Sequence, residues 1–448
     1  MTITATGARG ETRGSARSAG KSALTRAATF PITALSTLVT ASLTIQYAGP
    51  QSYAAIATLI TLSQLVPFAD LGVGAGVVNA VSSGDRAEAR AAVASATRVL
   101  LMSAAGLLTI ATAVSLVVGW DTILGIADAP LPHAGAAALV VIAIIAISLP
   151  FGVGQRVLIG AMRNPTAIAL STIAPLFTLA GSALIVWLRL SPTFLVLPAV
   201  IGSMAVAVVS SVVAARIVGT SFMDIFRPND FRYRGLLRIG GWYLLLTLAS
   251  AIAFPSGRVI LAHAANLEVV ADFSLAMQFY VPLWSFFVAG GTALWPVFAR
   301  LRSSATDSRP LVLRMVGFFV CAAALCGAGL TIAGPWVARL LAHGNIDPSW
   351  TLFAAASLLI VVQAVQLVQG VSLTDRAGIR FQALCALPLV VVVPALTFAG
   401  AGLLGASSPF VAATVGVVVF QVLPNAVRLR AGARAGSSNQ SAPEVSHE

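Results

Sequence analysis

Charged side chains are scarce in this chain of 448 residues. They make up 9% of the sequence, whereas they are about a quarter of an ordinary soluble domain. Hydrophobic residues account for 58%, and the mean hydropathy is +0.92. So few charges cannot cover a water-facing surface, and the composition predicts a polytopic membrane protein.

Cysteine and histidine are also rare. The three cysteines, Cys321, Cys326 and Cys385, lie inside apolar runs without metal-ligand spacing, so neither a disulfide framework nor a metal site is expected. The four histidines are scattered, and no HExxH pair or comparable catalytic cluster occurs. The expectation is a protein that is not an enzyme and holds no cofactor.

Apolar stretches of about 20 residues, long enough to cross a bilayer as helices, recur along the chain. About twelve spans are predicted, in two groups of six. They lie at 28–48, 53–80, 93–119, 134–160, 167–188 and 194–215, and then at 239–263, 269–298, 312–334, 350–371, 382–404 and 407–427.

The arginines lie mainly on one side of these spans. They cluster before the first span, after each even-numbered span and at the C-terminus, whereas the opposite loops hold only Arg189 and Arg339. Lys and Arg are enriched in cytoplasmic loops, so both termini are predicted to be cytoplasmic in a protein of the cell membrane. The net charge of +12 therefore reflects membrane topology, and no nucleic-acid partner is expected.

These patterns divide the chain into five predicted parts. They are a disordered cytoplasmic tail at 1–27, a six-helix bundle at 28–215, a connector on the inner membrane surface at 216–238, a second six-helix bundle at 239–427 and a second disordered tail at 428–448.

The two halves also resemble each other. GQRVLIGAMRNPTAIAL (154–170) follows the fourth span and VQGVSLTDRAGIRFQAL (368–384) follows the tenth, each placing glutamine and a basic turn before a new apolar span. Two bundles related by an axis along the membrane normal are typical of parallel-repeat transporters. Coincidental hydropathy is the alternative.

The segment 47–90 resembles the Wzx-type polysaccharide flippases of the multidrug/oligosaccharidyl-lipid/polysaccharide exporter superfamily. The residues that carry the resemblance are Gly49, Pro50 and Tyr53 at the first outer turn and the Asp70-Leu71-Gly72 triplet in the second span. The stretches 267–301 and 155–165 are similar to the eighth span and to the fourth-to-fifth-helix turn of that family. The motifs are loose patterns rather than a signature.

This resemblance implies an all-α, V-shaped transporter with a central cavity between two six-helix bundles. It implies flipping of polyprenyl-pyrophosphate-linked oligosaccharide across the cytoplasmic membrane by alternating access, in cell-surface polysaccharide biosynthesis. A polysaccharide polymerase and other export proteins are the possible partners. The family often has an acidic residue near the region where this chain has Ser256-Gly257-Arg258, so the resemblance carries no ion-coupling residue over to that region.

A carrier of this kind needs cations for the pyrophosphate and hydroxyls or amides for the glycan. The candidate substrate-binding residues within or near predicted spans are Arg98, Arg156, Arg258, Gln155, Gln278 and Gln366. For Arg98 and Arg156, near predicted inner ends, snorkelling to the head groups is the alternative role. For Gln366, which shares one helix face with Gln363 and Gln369, it is helix-helix hydrogen bonding.

Two acidic residues are candidates for coupling transport to a proton or sodium gradient. Asp70 lies about 15 Å along a helix from the inner end of its span, and a helix-helix hydrogen bond is its alternative role. Asp272 follows the turn near Ala265 by as many residues as Arg258 precedes it. Arg258 and Asp272 are therefore also predicted to face each other as an ion pair.

Three other functions compete with the glycan flippase. A multidrug exporter of the same superfamily would favour carboxylates in the cavity, whereas intramembrane charge here is mainly arginine. A lipid II flippase shares the phosphate chemistry but typically has more helices. A polyprenyl-dependent membrane glycosyltransferase would need catalytic groups on sizeable outer loops.

Overall fold

The computed structural model describes residues 5–65, 73–219, 241–242, 245–250, 252–303 and 309–430. All regular secondary structure in these ranges is helical, as a bilayer requires of segments that must satisfy their own backbone hydrogen bonds. Nine helical stretches of the described residues are long and apolar enough to span a membrane. Leu24–Ser63 contains the first predicted span and part of the second, and Ala377–Arg430 contains the last two. The predicted span 239–263 is only partly described.

The helices of the first half are α1 (Ala5–Ile60), α2 (Val73–Ser82), α3 (Arg86–Val117), α4 (Trp120–Ile123), α5 (Ala134–Ser148), α6 (Val153–Gly160), α7 (Asn164–Ser171), α8 (Ile173–Trp187) and α9 (Leu197–Val218). The helices of the second half are α10 (Gly257–Ala264), α11 (Leu267–Ser303), α12 (Arg309–Leu341), α13 (Trp350–Ser372), α14 (Arg376–Ala386), α15 (Leu389–Leu404) and α16 (Ser408–Val417).

Helix α1 contains the predicted first outer turn as a kink. Gly49 has φ +81°, a conformation that glycine adopts without strain. Pro50 follows it and provides no backbone N–H. The helix also begins at Ala5, within the segment predicted as a disordered tail.

The helices form two lobes that share α1. The largest buried cluster comes from the second half but includes Ala41, Ile45 and Tyr53 of α1. A second cluster comes from the first half and is contacted by Val259 and Leu267 of the second half. The two lobes are therefore joined by apolar packing.

Polar contacts also join the halves at the end that carries loops 118–133, 188–192 and 342–349. We call this the Arg-poor end, and the opposite end, with loops 83–85, 161–163 and 373–375, the Arg-rich end. At the Arg-poor end Ser42 Oγ donates to the Leu341 carbonyl at 2.6 Å. His263 Nε2 lies 3.1 Å from the Thr122 carbonyl oxygen. The lobes thus meet through specific hydrogen bonds at this end.

Candidate functional site

Arg258 lies in the first turn of the short helix α10. A turn at 254–256, containing Pro255, interrupts the predicted seventh span immediately before this helix. Gly257 packs so closely on Pro409 that an added Cβ would lie 2.9 Å from the proline Cβ. Because glycine has no side chain, α10 can approach α16 closely at position 257. This approach determines the position of the neighbouring residue Arg258.

The guanidinium of Arg258 has one side-chain partner among the described residues. Its Nε donates to Ser274 Oγ at 3.1 Å, and Ser274 is fully buried on α11. This hydrogen bond uses one of the five N–H donors of arginine. The other donors, on the two Nη atoms, remain for a ligand.

The predicted ion pair between Arg258 and Asp272 does not form. Asp272 precedes Ser274 by two residues on α11, and residues two apart lie about 200° apart around a helix. An arginine on the Ser274 face therefore cannot reach the Asp272 face. The sequence placed the two charges at similar depth but could not give their direction around the helix.

Arg258 borders a cavity of about 380 Å³ formed by helices of both halves. This volume is within the range of small-molecule sites. The polar residues that line the cavity are Thr37, Thr40, Thr44, Tyr53, Ser63, Ser148, Thr178, Ser203, Arg258 and Gln278. Arg258 is the only charged residue among the described lining residues, and no carboxylate occurs among them.

The Ser and Thr hydroxyls of the cavity already donate hydrogen bonds to their own helices. Thr40 Oγ1 donates to the Ser36 carbonyl at 2.7 Å, and Ser148 Oγ donates to the Ile145 carbonyl at 2.7 Å. The other five hydroxyls do the same, three or four residues back along the chain. The capacity that they retain is that of acceptors, which suits a ligand rich in hydroxyl donors.

Tyr53 and Gln278 line the same cavity as Arg258. The Tyr53 phenol lies beside the Gln278 amide and within electrostatic reach of Arg258. Its hydroxyl oxygen is nevertheless buried without a hydrogen bond of ordinary geometry. A buried polar atom left in this state is unfavourable and would gain from a ligand.

The other predicted substrate residues do not line this cavity. Arg98 is half-buried on α3, Arg156 is exposed on α6 beside half-buried Gln155, and Gln366 is half-buried on α13. Of the neighbours of Gln366, Gln363 is buried and accepts a hydrogen bond from Tyr280 of α11. Helix-helix bonding, the alternative for this glutamine stripe, is therefore the role that Gln363 has.

Of the two candidate coupling residues, Asp272 does not line this cavity. Asp70 lies outside the described residues. Asp272 borders a different opening at the Arg-poor end, together with Glu268 and Asp347. Asp347 accepts a hydrogen bond from Arg339 Nε at 2.9 Å and forms an ion pair with that residue.

Sequence reasoning missed most of the cavity hydroxyls. A signal was present, because Thr37, Thr40 and Thr44 follow one another at spacings of three and four and so lie on one face of a helix. Ser274 had no such signal, since its role comes only from the approach of α10.

No family model matches the chain, and no curated protein matches its sequence. Solved structures do match it. A multidrug resistance MATE family transporter of the MOP superfamily, in its inward-facing conformation, has a TM-score of 0.71 and 15% identity over 94% of this chain and 100% of that chain. The lipid II flippase MurJ, in an inward closed conformation, has a TM-score of 0.70 and 12% identity over 91% of this chain and 87% of that chain.

A MOP-superfamily transporter from Pyrococcus furiosus, described as having a binding pocket of reverse polarity, has a TM-score of 0.65 and 16% identity over 93% of this chain and 96% of that chain. At these identities the likeness establishes the fold. The chain has the two-lobed, all-α fold of the MOP-superfamily transporters.

Proposed function

We propose that the protein flips polyprenyl-pyrophosphate-linked oligosaccharide across the cytoplasmic membrane by alternating access. The observation that carries the proposal is the cavity, where one arginine, an amide and a set of hydroxyls occur without a carboxylate among the described lining residues. This combination suits an anionic, hydroxyl-rich ligand. The Arg-poor end is then exoplasmic, and both termini are cytoplasmic.

Arg258 is the group that binds pyrophosphate in this proposal. Guanidinium binds phosphate through paired N–H donors, and the Ser274 contact through Nε leaves the Nη donors for this purpose. The first turn of α10 adds the positive end of a helix dipole at the same place. Arg258 is also seven residues, or about 10 Å along a helix, from the turn at Ala265. The carrier phosphates would therefore be received or released near the exoplasmic side.

A multidrug exporter is the second candidate, because the fold is equally that of a MATE family multidrug transporter. The charge of the cavity distinguishes the two candidates. A cationic drug would meet Arg258 without a described carboxylate to attract it, whereas a pyrophosphate would be attracted. A lipid II flippase shares the phosphate chemistry and is also represented among the similar folds.

The energy source and the partners follow from the same proposal. A proton or sodium gradient would act through Asp70 or Asp272, and transport measured with each gradient collapsed in turn would identify the ion. A polysaccharide polymerase would receive the flipped product, and co-purification from membranes would test this association.

The test of the proposed function is glycolipid flipping by purified protein in proteoliposomes. The substrate is a fluorescent polyprenyl-pyrophosphate oligosaccharide, and a membrane-impermeant quencher reports its leaflet. Loss of one charged hydrogen bond costs about 1.5–3 kcal/mol, which corresponds to roughly 10-fold to 100-fold weaker binding. We therefore expect Arg258→Gln to raise the half-saturating substrate concentration by that factor and Arg258→Lys by less.

Arg189→Gln is the matched control, since Arg189 is an exposed arginine at the same end that does not line the cavity. Flipping by Arg258→Gln that equals flipping by Arg189→Gln would exclude pyrophosphate binding by Arg258. Export of a cationic dye by the wild-type protein, with no flipping of the glycolipid, would establish the multidrug function instead.

A further inference from the structure

A second concave surface lies in the first half of the chain, outside the cavity of Arg258. We call it the lateral groove. It has a volume of about 660 Å³ and lies between α3, α5, α6 and α9. Its wall is almost entirely apolar, and Leu101, Ile147 and Val212 in it are about half exposed. In a membrane-spanning lobe, exposed apolar side chains of this kind face lipid.

Helix α5 separates the lateral groove from the cavity. Ile145 and Ser148, one turn apart, line the cavity. Ala146 and Ile147, on the other side of the same helix, line the groove. A ligand bound to Arg258 and a ligand in the groove would therefore lie on opposite sides of this helix.

The few polar side chains of the groove wall are already hydrogen-bonded. Thr97 Oγ1 donates to the Val93 carbonyl at 2.8 Å, and Ser211 Oγ donates to the Phe151 carbonyl at 2.6 Å. Gly154 brings α6 and α9 together at the floor, where an added Cβ would lie 2.3 Å from the Ser211 nitrogen. The groove thus offers a ligand almost only apolar contact along its length, and these two hydroxyls retain only the capacity to accept a hydrogen bond.

A positively charged side chain, that of Arg90, lies at one end of the groove. Arg90 precedes the lining residues Val93 and Ala94 by three and four positions on α3, and so lies on the same helix face. Its side chain is exposed, and its Nε donates to the carbonyl of Val218, another lining residue, at 3.1 Å. The Nη donors remain for an anion at the Arg-rich end.

We propose that the lateral groove binds an anionic phospholipid, with an acyl chain along the apolar wall and the phosphate on Arg90. The Arg-rich end is proposed to be cytoplasmic, and the cytoplasmic leaflet is the one rich in anionic lipid. The volume suffices for a chain-like ligand, since small-molecule sites range from roughly 300 to 1,000 Å³. The inference rests on the proposed orientation and not on the proposed substrate.

Native mass spectrometry of the full-length protein, titrated with phosphatidylglycerol or phosphatidylcholine, tests the site. We expect phosphatidylglycerol to bind more tightly than phosphatidylcholine, and Arg90→Gln to weaken its binding about tenfold, as loss of one charge-assisted contact does. Arg163→Gln is the matched charge control, because Arg163 is exposed at the same end but away from the groove. Equal losses in the two variants would overturn the proposal.

Ala105→Phe fills the groove, and Ala180→Phe is its control on an exposed surface of α8. Only the groove-filling variant is expected to lose the tight phosphatidylglycerol, with both variants unfolding in lipid-free detergent at the wild-type temperature. A photoreactive acyl chain on phosphatidylglycerol gives a test without mutation, since labelled peptides should come from 93–108, 146–157 and 208–218. Labelling of other peptides would refute the proposal. The proposal would also be refuted if the Ala105→Phe variant kept its tight phosphatidylglycerol and instead lost binding of polyprenyl phosphate or of a second copy of the chain.

Discussion

The contact of α6 with α9 at Gly154 makes a sharp prediction about stability. A Cβ built on Gly154 would lie 2.3 Å from the Ser211 nitrogen, 2.5 Å from the Ser211 Cα and 2.6 Å from the Ser210 carbonyl carbon. All three atoms belong to the backbone, so no change of side-chain rotamer can relieve the overlap. We therefore expect Gly154→Ala to force the two helices apart.

The magnitude follows from the size of the overlap. An ordinary contact lies at 3.4–4 Å, so the helices must separate by about 1 Å and lose dispersion contacts along their length. Overpacking costs about 1–3 kcal/mol, and a rigid backbone partner places this site at the upper end. Alanine returns about 1 kcal/mol through its helix propensity. The net expectation is a loss of about 2 kcal/mol.

Thermal or denaturant unfolding of the purified protein in detergent measures this loss. Gly152→Ala is the matched control two residues away, because nothing lies within 4 Å of its added Cβ. We expect the control to unfold like the wild type or slightly later, and Gly154→Ala to show roughly a thirtyfold fall in the ratio of folded to unfolded protein. Equal stability of the two variants would refute the packing of α6 on α9 described above.

Two further predictions concern contacts at the Arg-poor end and in the cavity. The His263 ring faces two carbonyl oxygens, that of Val259 at 2.8 Å and that of Thr122 at 3.1 Å, so His263→Ala should remove a contact between the lobes. Spin-label distances across the Arg-poor end should then lengthen, and unchanged distances would show that this contact does not hold the lobes together. Tyr53→Phe removes a buried hydroxyl without a proper hydrogen bond, so the ligand-free protein should gain about 1 kcal/mol of stability while glycolipid flipping becomes weaker. Equal loss of stability and of transport would show that the hydroxyl is hydrogen-bonded in the ligand-free protein.

The composition predicted a polytopic membrane protein, and the length of its apolar stretches predicted helical spans, because length and hydropathy determine what can span a bilayer. The turns were also visible, since Gly49 and Gly405 both adopt positive φ where the predicted spans meet. Joined helices could not be foreseen in the same way. A glycine occurs in the sequence both at a kink within a helix and at a loop between two helices. Only packing decides whether the helix continues past that glycine.

The candidate site was predicted only in part. Arg258 and Gln278 do line one cavity, because intramembrane polar residues are retained where they face a cavity or a partner. Arg98 and Arg156 were proposed on the same rule but lie elsewhere. Depth along a helix can be counted from sequence, whereas direction around the helix and the identity of the neighbouring helix depend on tertiary packing. For the same reason Ser274, and not the predicted Asp272, is the partner of Arg258.

Under the proposed function, the composition of the cavity bears on how the empty protein returns to its starting conformation. A carrier that alternates between two states must expose its binding groups without ligand during part of the cycle, and an unsatisfied buried donor would then oppose the return. The cavity hydroxyls avoid this cost, because each donates to its own helix in the absence of ligand. Arg258 and Tyr53 differ, since each retains donors for a ligand. Under the proposed function, the strongest change in free energy on binding is therefore expected at these two residues, and the hydroxyls would accommodate a variable glycan.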